Sequence, residues 1–165
     1  MSSSTPERWT AAVITVSDSS ASGLREDLSG PAVVALLEQK QFQIVAREIV
    51  PDDETAIETV LLRLCAHARF VVTTGGTGVA LRDVTPEATM SVCERLVPGI
   101  AERMRAEGVQ KTKLAALSRA VCGSRGESLI LNLPGSPKGA VESLEAVIDL
   151  VPHALKLLAG DTKHS

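Results

Sequence analysis

The part of this 165-residue sequence best suited to chemistry is a glycine run with a carboxylate shortly beyond it. Gly75–Gly76–Thr77–Gly78 lies within the stretch FVVTTGGTGVALRDVTPEAT, Phe70 to Thr89, and Asp83 follows on the same loop. Three glycines in four positions remove the Cβ atoms that would hold a ligand away from the backbone. Backbone N–H groups in such a loop can form a nest for an anion such as phosphate. A carboxylate beside phosphate calls for a cation, and a magnesium ion bridging Asp83 to a nucleotide meets that need. The loop is neither of two common phosphate motifs: Arg82–Asp83 stands where a P-loop ends in Gly-Lys-Ser/Thr, and GxGxxG is absent. From the glycines alone, a tight structural turn is the other reading.

The elements around the loop must position it. Phe70–Val71–Val72 with Thr73–Thr74 reads as a buried strand running into the glycines. On the far side, Thr85 suits an N-cap, Pro86 the first helical position and Glu87 the first turn. This strand–loop–helix layout is the one in which α/β proteins bind ligands at the carboxyl ends of their strands. Ala11 to Val16 is a near-continuous apolar run, suited to a central strand covered on both faces. It ends in Ser17–Asp18–Ser19–Ser20–Ala21–Ser22–Gly23, read as a loop, where Ser17 and Asp18 serve either a ligand or ordinary turn chemistry. A second strand-end loop, Asn132–Leu133–Pro134–Gly135–Ser136–Pro137–Lys138, offers the Gly135 and Ser136 amides to an anion before a helix that Pro137 starts.

The remaining segments complete an alternating pattern. A helix opens at Gly30–Pro31, with Ser29 as its cap and Val33, Val34, Leu36 and Leu37 on its buried side. Phe42 to Val50 reads as a strand nearer the edge. The helix begun at Pro51–Asp52–Asp53–Glu54 buries Ile57, Val60, Leu61 and Leu64, and Asp52 or Asp53 can cap it. Helices are expected from Pro86 to about Arg95, from Pro98–Gly99, and over Lys113 to Leu117. Glu102, Arg103, Arg105 and Glu107 read as a solvated face. Ser118–Cys122 and Ser128–Leu133, joined by Ser124–Arg125–Gly126–Glu127, read as an antiparallel hairpin, and a last helix, Leu144–Leu158, is bent or interrupted at Pro152. The pattern predicts an α/β sandwich with a mostly parallel sheet. We read 1–10 as a flexible lead-in, 11–160 as a single domain and 161–165 as a tail.

Composition narrows the function classes. The chain is 44% hydrophobic but 2% aromatic, so its core is aliphatic, and a net charge of −3 argues against broad nucleic-acid binding. No apolar run is long enough to span a membrane and no signal peptide is evident, so a cytoplasmic location is expected. Cys65, Cys93 and Cys122 are odd in number and lack a C-x-x-C pair, which reads as three buried or half-buried thiols.

Taken together, TTGGTG followed by RDVTPEA, with PDDE upstream and LNLPGSPK downstream, resembles the molybdopterin adenylyltransferase family. This is the MoaB/Mog group, similar to the plant Cnx and animal gephyrin G domains, and the likeness runs from about Ala11 to Leu158. The resemblance implies a three-layer α/β/α fold and a homo-oligomer, a trimer or a hexamer. It implies magnesium- and ATP-dependent transfer of AMP to the terminal phosphate of molybdopterin, with release of pyrophosphate, and a possible partner protein that inserts molybdate afterwards. It places the functional aspartates at Asp52 and Asp83, both assigned to magnesium and the phosphates. Gly75, Gly76, Thr77 and Gly78 would cradle phosphate and adenylate, while Ser17, Asp18, Ser118, Pro134, Gly135 and Ser136 match the other pocket loops. Ser19 departs from the pattern, since many relatives carry Arg there; Arg25 or Lys138 would have to supply the missing guanidinium or ammonium. A non-catalytic molybdopterin carrier or scaffold of the same fold is the competing reading, and a different nucleotide-dependent enzyme a third.

Overall fold

Hydrophobic residues that alternate along β1 (Thr10–Val16) divide between two cores. Ala11 and Val13 face one, Ala12, Ile14 and Val16 the other, and all five are buried. The computed structural model describes residues 8–162; 1–7 and 163–165, which include most of the expected lead-in and tail, lie outside the described residues. Thr10, placed in the lead-in by the sequence, already belongs to the first strand.

A six-stranded sheet forms the middle layer, in the order β2-β1-β3-β6-β5-β4. Its further strands are β2 (Gln43–Val50), β3 (Phe70–Thr74), β4 (Arg95–Leu96), β5 (Cys122–Arg125) and β6 (Ser128–Leu133). β2, β1, β3 and β6 run parallel, while β5 and β4 are antiparallel additions. The expected mostly parallel sheet is therefore present, with two antiparallel pairings at one end rather than a single hairpin. β2 is an edge strand, as expected, and its burial alternates accordingly.

Helices α2 (Ser29–Gln39), α5 (Pro98–Val109), α6 (Pro137–Glu145) and α7 (Val151–Leu158) cover one face. Helices α3 (Glu54–Cys65) and α4 (Thr85–Val92) cover the other. Leu37 and Leu144 on the first face, and Ile57 and Leu61 on the second, are fully buried, each contributing about 1.5–3 kcal/mol of transfer free energy. The three layers of the expected sandwich follow from these two buried faces.

Several boundaries differ from the sequence reading for local physical reasons. The serine-rich stretch after β1 contains one helical turn, α1 (Asp18–Ala21), because the Ser17 side chain accepts from the Ser20 N–H and caps it. Ser29 is not the cap of α2; Asp27 Oδ1 accepts from the Gly30 N–H at 3.0 Å instead. α4 ends at Val92, since Glu94 N–H donates to the Ser124 carbonyl and draws Arg95–Leu96 into the sheet as β4. The expected strand over Ser118–Cys122 starts only at Cys122, and the hairpin turn narrows to Gly126–Glu127, with Gly126 at φ +56°. Pro152 does not break the last helix. It sits in the first turn of α7, while the chain turns before it through a 3-10 helix at Ile148–Leu150.

Candidate active site

The parallel register sets where the loops leave the sheet. Val16 pairs with Val50, Thr15 with Thr74, and Thr74 with Leu133, so four strands end at one level. The residues just beyond them are Ser17–Asp18, Pro51–Asp52, Gly75–Gly76 and Pro134–Gly135. From β1 the chain winds outward through α2 to β2, then returns through α3 on the opposite face to β3. The crevice between β1 and β3 is thus the topological switch point, where open α/β sheets bind ligands.

The glycine loop is held from below by hydrogen bonds and could be built of few other residues. Gly75 N–H donates to the Leu133 carbonyl at 3.0 Å, and Thr74 Oγ1 donates to the Pro134 carbonyl at 2.7 Å. Gly75 and Gly76 have φ of +104° and +69°, the left-handed region. A Cβ on Gly75 would collide with the Val16 carbonyl oxygen. Thr85 is not an N-cap as the sequence suggested. Its fully buried hydroxyl donates back to the Gly75 carbonyl at 2.9 Å, locking the base of the loop to α4.

The adjacent aspartates of the PDDE motif divide their work. Asp53 caps α3, its Oδ2 accepting from the Ala56 N–H at 2.8 Å. Asp52 is thereby left to the site. Its Oδ2 accepts from the Asp18 N–H at 2.9 Å, and its own N–H donates to Asp18 Oδ1 at 3.0 Å, a reciprocal pair joining the ends of β1 and β2. Asp18 also receives two bonds from the Arg82 guanidinium, at 3.1 and 2.6 Å. Those contacts, first the Arg82 hydrogen bond and then the Asp52 N–H, hold the Asp18 carboxyl below its usual range. Asp52 is shifted upward by burial, reinforced by the neighbouring charges of Asp18 and Asp83.

Two cavities flank the glycine loop, about 550 Å³ and about 430 Å³ in volume. Gly76, Asp83, Gly135 and Ser136 line both, forming their shared wall. The larger is lined further by Thr77, Gly78, Ser118 and Pro134, with Met104, Leu114 and Leu117 supplying apolar surface. The smaller takes in Ser17, Asp52, Gly75 and Arg25. Of the candidate residues, only Asp18 lines neither of these two cavities, its carboxylate being used on Arg82 and on the Asp52 amide. Ser136 also caps α6, accepting from the Gly139 N–H, and Ser118 Oγ accepts from the Ala120 N–H.

Arg25 lies in the wall of the smaller cavity, whereas Lys138 is directed to Glu142, 4.0 Å away, and is largely exposed. Of the two cations named as replacements for the arginine missing at position 19, Arg25 is the one placed to act. Three arginines escaped sequence reasoning. Arg82 bridges to Asp18. Arg105, assigned to a solvated face, instead donates to the Ala120 carbonyl at 2.8 Å. Arg119 donates to backbone carbonyls of the loop bearing Asp83. Their partners are distant in sequence and mostly main-chain, so no motif could have marked them.

As a test for magnesium, the donor set counts. Among the described residues no group of three or more His, Cys, Asp or Glu side chains could hold a metal alone. Mg²⁺ needs only one or two carboxylates when substrate phosphates and water complete its shell. Asp52 and Asp83 share one cavity wall, and Asp52 is shifted in the direction that a cation would reverse. The residues fit.

Known proteins resemble this chain in sequence and in fold. Residues 12–153 match the family described as "Probable molybdopterin binding domain". A molybdopterin adenylyltransferase of Helicobacter pylori is 43% identical over 153 residues, 90% of this chain and 87% of that protein. Its Escherichia coli counterpart by name is 38% identical over 165 residues, 90% of this chain and 84% of that one. Among solved structures, the molybdopterin biosynthesis enzyme MoaB of Thermus thermophilus superposes with a TM-score of 0.87 at 49% identity, covering 92% of this chain and 97% of its own.

Proposed function

The chain belongs to the molybdopterin-binding family of molybdenum cofactor biosynthesis, and on that premise we propose that it is a molybdopterin adenylyltransferase. Relatives curated under that name share about two-fifths of its residues over most of its length, 38% and 43% in the two cases given. The observation that carries the reading to this chain's own residues is the shared wall. Asp83, on the β3–α4 loop, and Asp52, after β2, reach one cavity, with the glycine loop between them.

In this reading the two substrates enter from the two cavities and their phosphates meet at Gly76, Asp83, Gly135 and Ser136. A terminal phosphate oxygen of molybdopterin attacks the α-phosphorus of ATP, the bond to the β-phosphate oxygen breaks, and pyrophosphate leaves with that electron pair. The nucleophile is already ionised, so no side chain has to remove a proton. The protein's part is positioning and charge stabilisation. The loop Gly75–Gly78 brings backbone close to the phosphates, and Arg25 faces the smaller cavity with a positive charge. Asp52 and Asp83 would hold Mg²⁺, which supplies neutralisation of the phosphate charge. The apolar surface of Met104, Leu114 and Leu117 suits a flat ring system.

The test is pyrophosphate release from MgATP with and without molybdopterin. Molybdopterin-dependent release that falls about 10²–10³-fold in Asp83→Asn supports the reading; undiminished release in the variant overturns the role of Asp83. Tight molybdopterin binding without any release would turn the reading to a non-catalytic carrier. We assign the enzyme to the cytoplasm, ahead of a molybdate-insertion step on a partner protein. No helix among the described residues is long and apolar enough to cross a membrane. We further assign it a trimeric or hexameric state, which a monomeric mass in sedimentation at micromolar concentration would refute.

A further inference from the structure

The loop from Gly78 to Val84 carries Asp83 but has little packing of its own. Val79 is 66% exposed and Leu81 99% exposed, and of the loop's apolar side chains Val84 alone, at the foot of α4, packs against a core. Its internal bonds are local: Asp83 N–H donates to the Ala80 carbonyl at 2.9 Å, and Ala80 N–H donates to Asp83 Oδ2 at 3.1 Å. These bonds give the loop a shape without fixing where it sits. On its β1 side it is tied by Arg82 to Asp18, an exposed pair, which salt and side-chain entropy weaken.

On the other side stands Arg119, and its contacts are of a different kind. Its N–H donates to the Thr77 carbonyl at 2.8 Å, Nε to the Gly78 carbonyl at 2.6 Å and Nη2 to the Asp83 carbonyl at 2.7 Å. Nη1 donates to the Glu87 carboxylate at the start of α4, an ion pair that holds the Glu87 carboxyl below its usual range. One planar, always-charged fork thus reaches the glycine run, the backbone of Asp83 and the following helix together. Arg119 is itself placed from behind. Arg105 donates to the Ala120 carbonyl, and Asn132 Oδ1 accepts from the Val121 N–H.

We propose that Arg119 is a positioning residue that sets the Asp83 carboxylate against the glycine loop by bonding the main chain at Thr77, Gly78 and Asp83. It rests on the adenylyl-transfer reading of Asp83 and adds a residue to it. Arg119 lines neither of the two cavities, so it acts through the loop that carries Asp83. Lysine keeps the charge toward Glu87 but, as a single ammonium, cannot satisfy two carbonyls and a carboxylate in this planar arrangement.

The experiment compares the full-length Arg119→Lys, Asp83→Asn and double variants, with Glu87→Gln as the variant that removes only the ion pair. Pyrophosphate release, melting temperature and amide hydrogen exchange over 78–84 are read for each. Arg119→Lys is expected to stay folded, to lose about 10²-fold in kcat, as a misplaced catalytic group does, and to exchange faster over 78–84. Glu87→Gln is expected to lose much less. In the Asp83→Asn background, Arg119→Lys should cost less than about twofold further, because the two act through one group. A lowered melting temperature with kcat unchanged would show a structural role only and overturn the proposal, as would losses that multiply in the double variant. Full activity in Asp83→Asn alone would instead overturn the reading of the site, a separate failure.

Discussion

Replacing Asn132 by leucine tests the network that supports the site from behind. Asn132 is fully buried in β6. Its Nδ2 donates to Thr73 Oγ1 at 3.0 Å and to Thr89 Oγ1 at 2.9 Å, and its Oδ1 accepts from the Val121 N–H at 3.1 Å. One side chain therefore joins β3, α4 and the segment that presents Ser118 and Arg119. Leucine is of similar size but leaves the Val121 N–H and two threonine hydroxyls without their partner. At about 1–3 kcal/mol for each of these three groups left unpaired, the loss is about 3–9 kcal/mol. Burial of the leucine side chain returns about 1.5–3 kcal/mol. From the middle of the two ranges a net cost of about 4 kcal/mol remains, a large share of the roughly 5–15 kcal/mol that typically separates folded from unfolded chains. The melting temperature should then fall by roughly 8–16 °C. Urea unfolding of Asn132→Leu, Thr73→Val and the pair together is the assay. Thr73→Val should cost about 1 kcal/mol alone and nothing more in the leucine background, since its hydroxyl has already lost the partner. A cost below about 1 kcal/mol for Asn132→Leu, or strictly additive costs for the pair, would refute the network as the support described.

Two further outcomes follow from the titrating groups. The Asp52 carboxyl is raised above 3.8 by burial and by Asp18 and Asp83, so the folded state favours its neutral form. Its favourable contribution is present below that value and is lost as pH rises through the raised pKa. Asp52→Asn, measured without nucleotide or metal, should therefore melt higher than the parent near pH 7, with the gain fading as pH falls toward about 4, while turnover drops; an unchanged or lower melting point at neutral pH would contradict the electrostatics. Burial pushes the Cys122 thiol up to about 12 and that of Cys93 up to about 11. Maleimide labelling at about pH 8 should accordingly spare Cys122 until denaturant is added, and rapid labelling of Cys122 in the folded protein would show that strand β5 opens.

The local order of side chains determined much of this protein. Apolar runs in β1, β3 and β6 dictate buried strands, because a pleated strand covered on both faces admits little else. The glycines at 75 and 76 marked a backbone that other residues cannot follow, and the structure places both at positive φ. Such signals are legible because cause and effect lie within a few residues. Asp52 and Asp53 show where that legibility stops. Both could cap α3 by sequence, and only the fold decides that Asp53 does so while Asp52 meets Asp18, which is 34 residues away in the chain. Thr85 looked like a cap and proved to be a brace beneath Gly75. Arg119 carried no signal at all, since a guanidinium bonding main-chain carbonyls reads in sequence like any surface arginine. Strand register, by ending four strands at one level, brings these residues together, and register depends on the pairing of segments far apart in sequence. The residue types capable of chemistry were thus written locally, but their mutual distances were decided by packing alone.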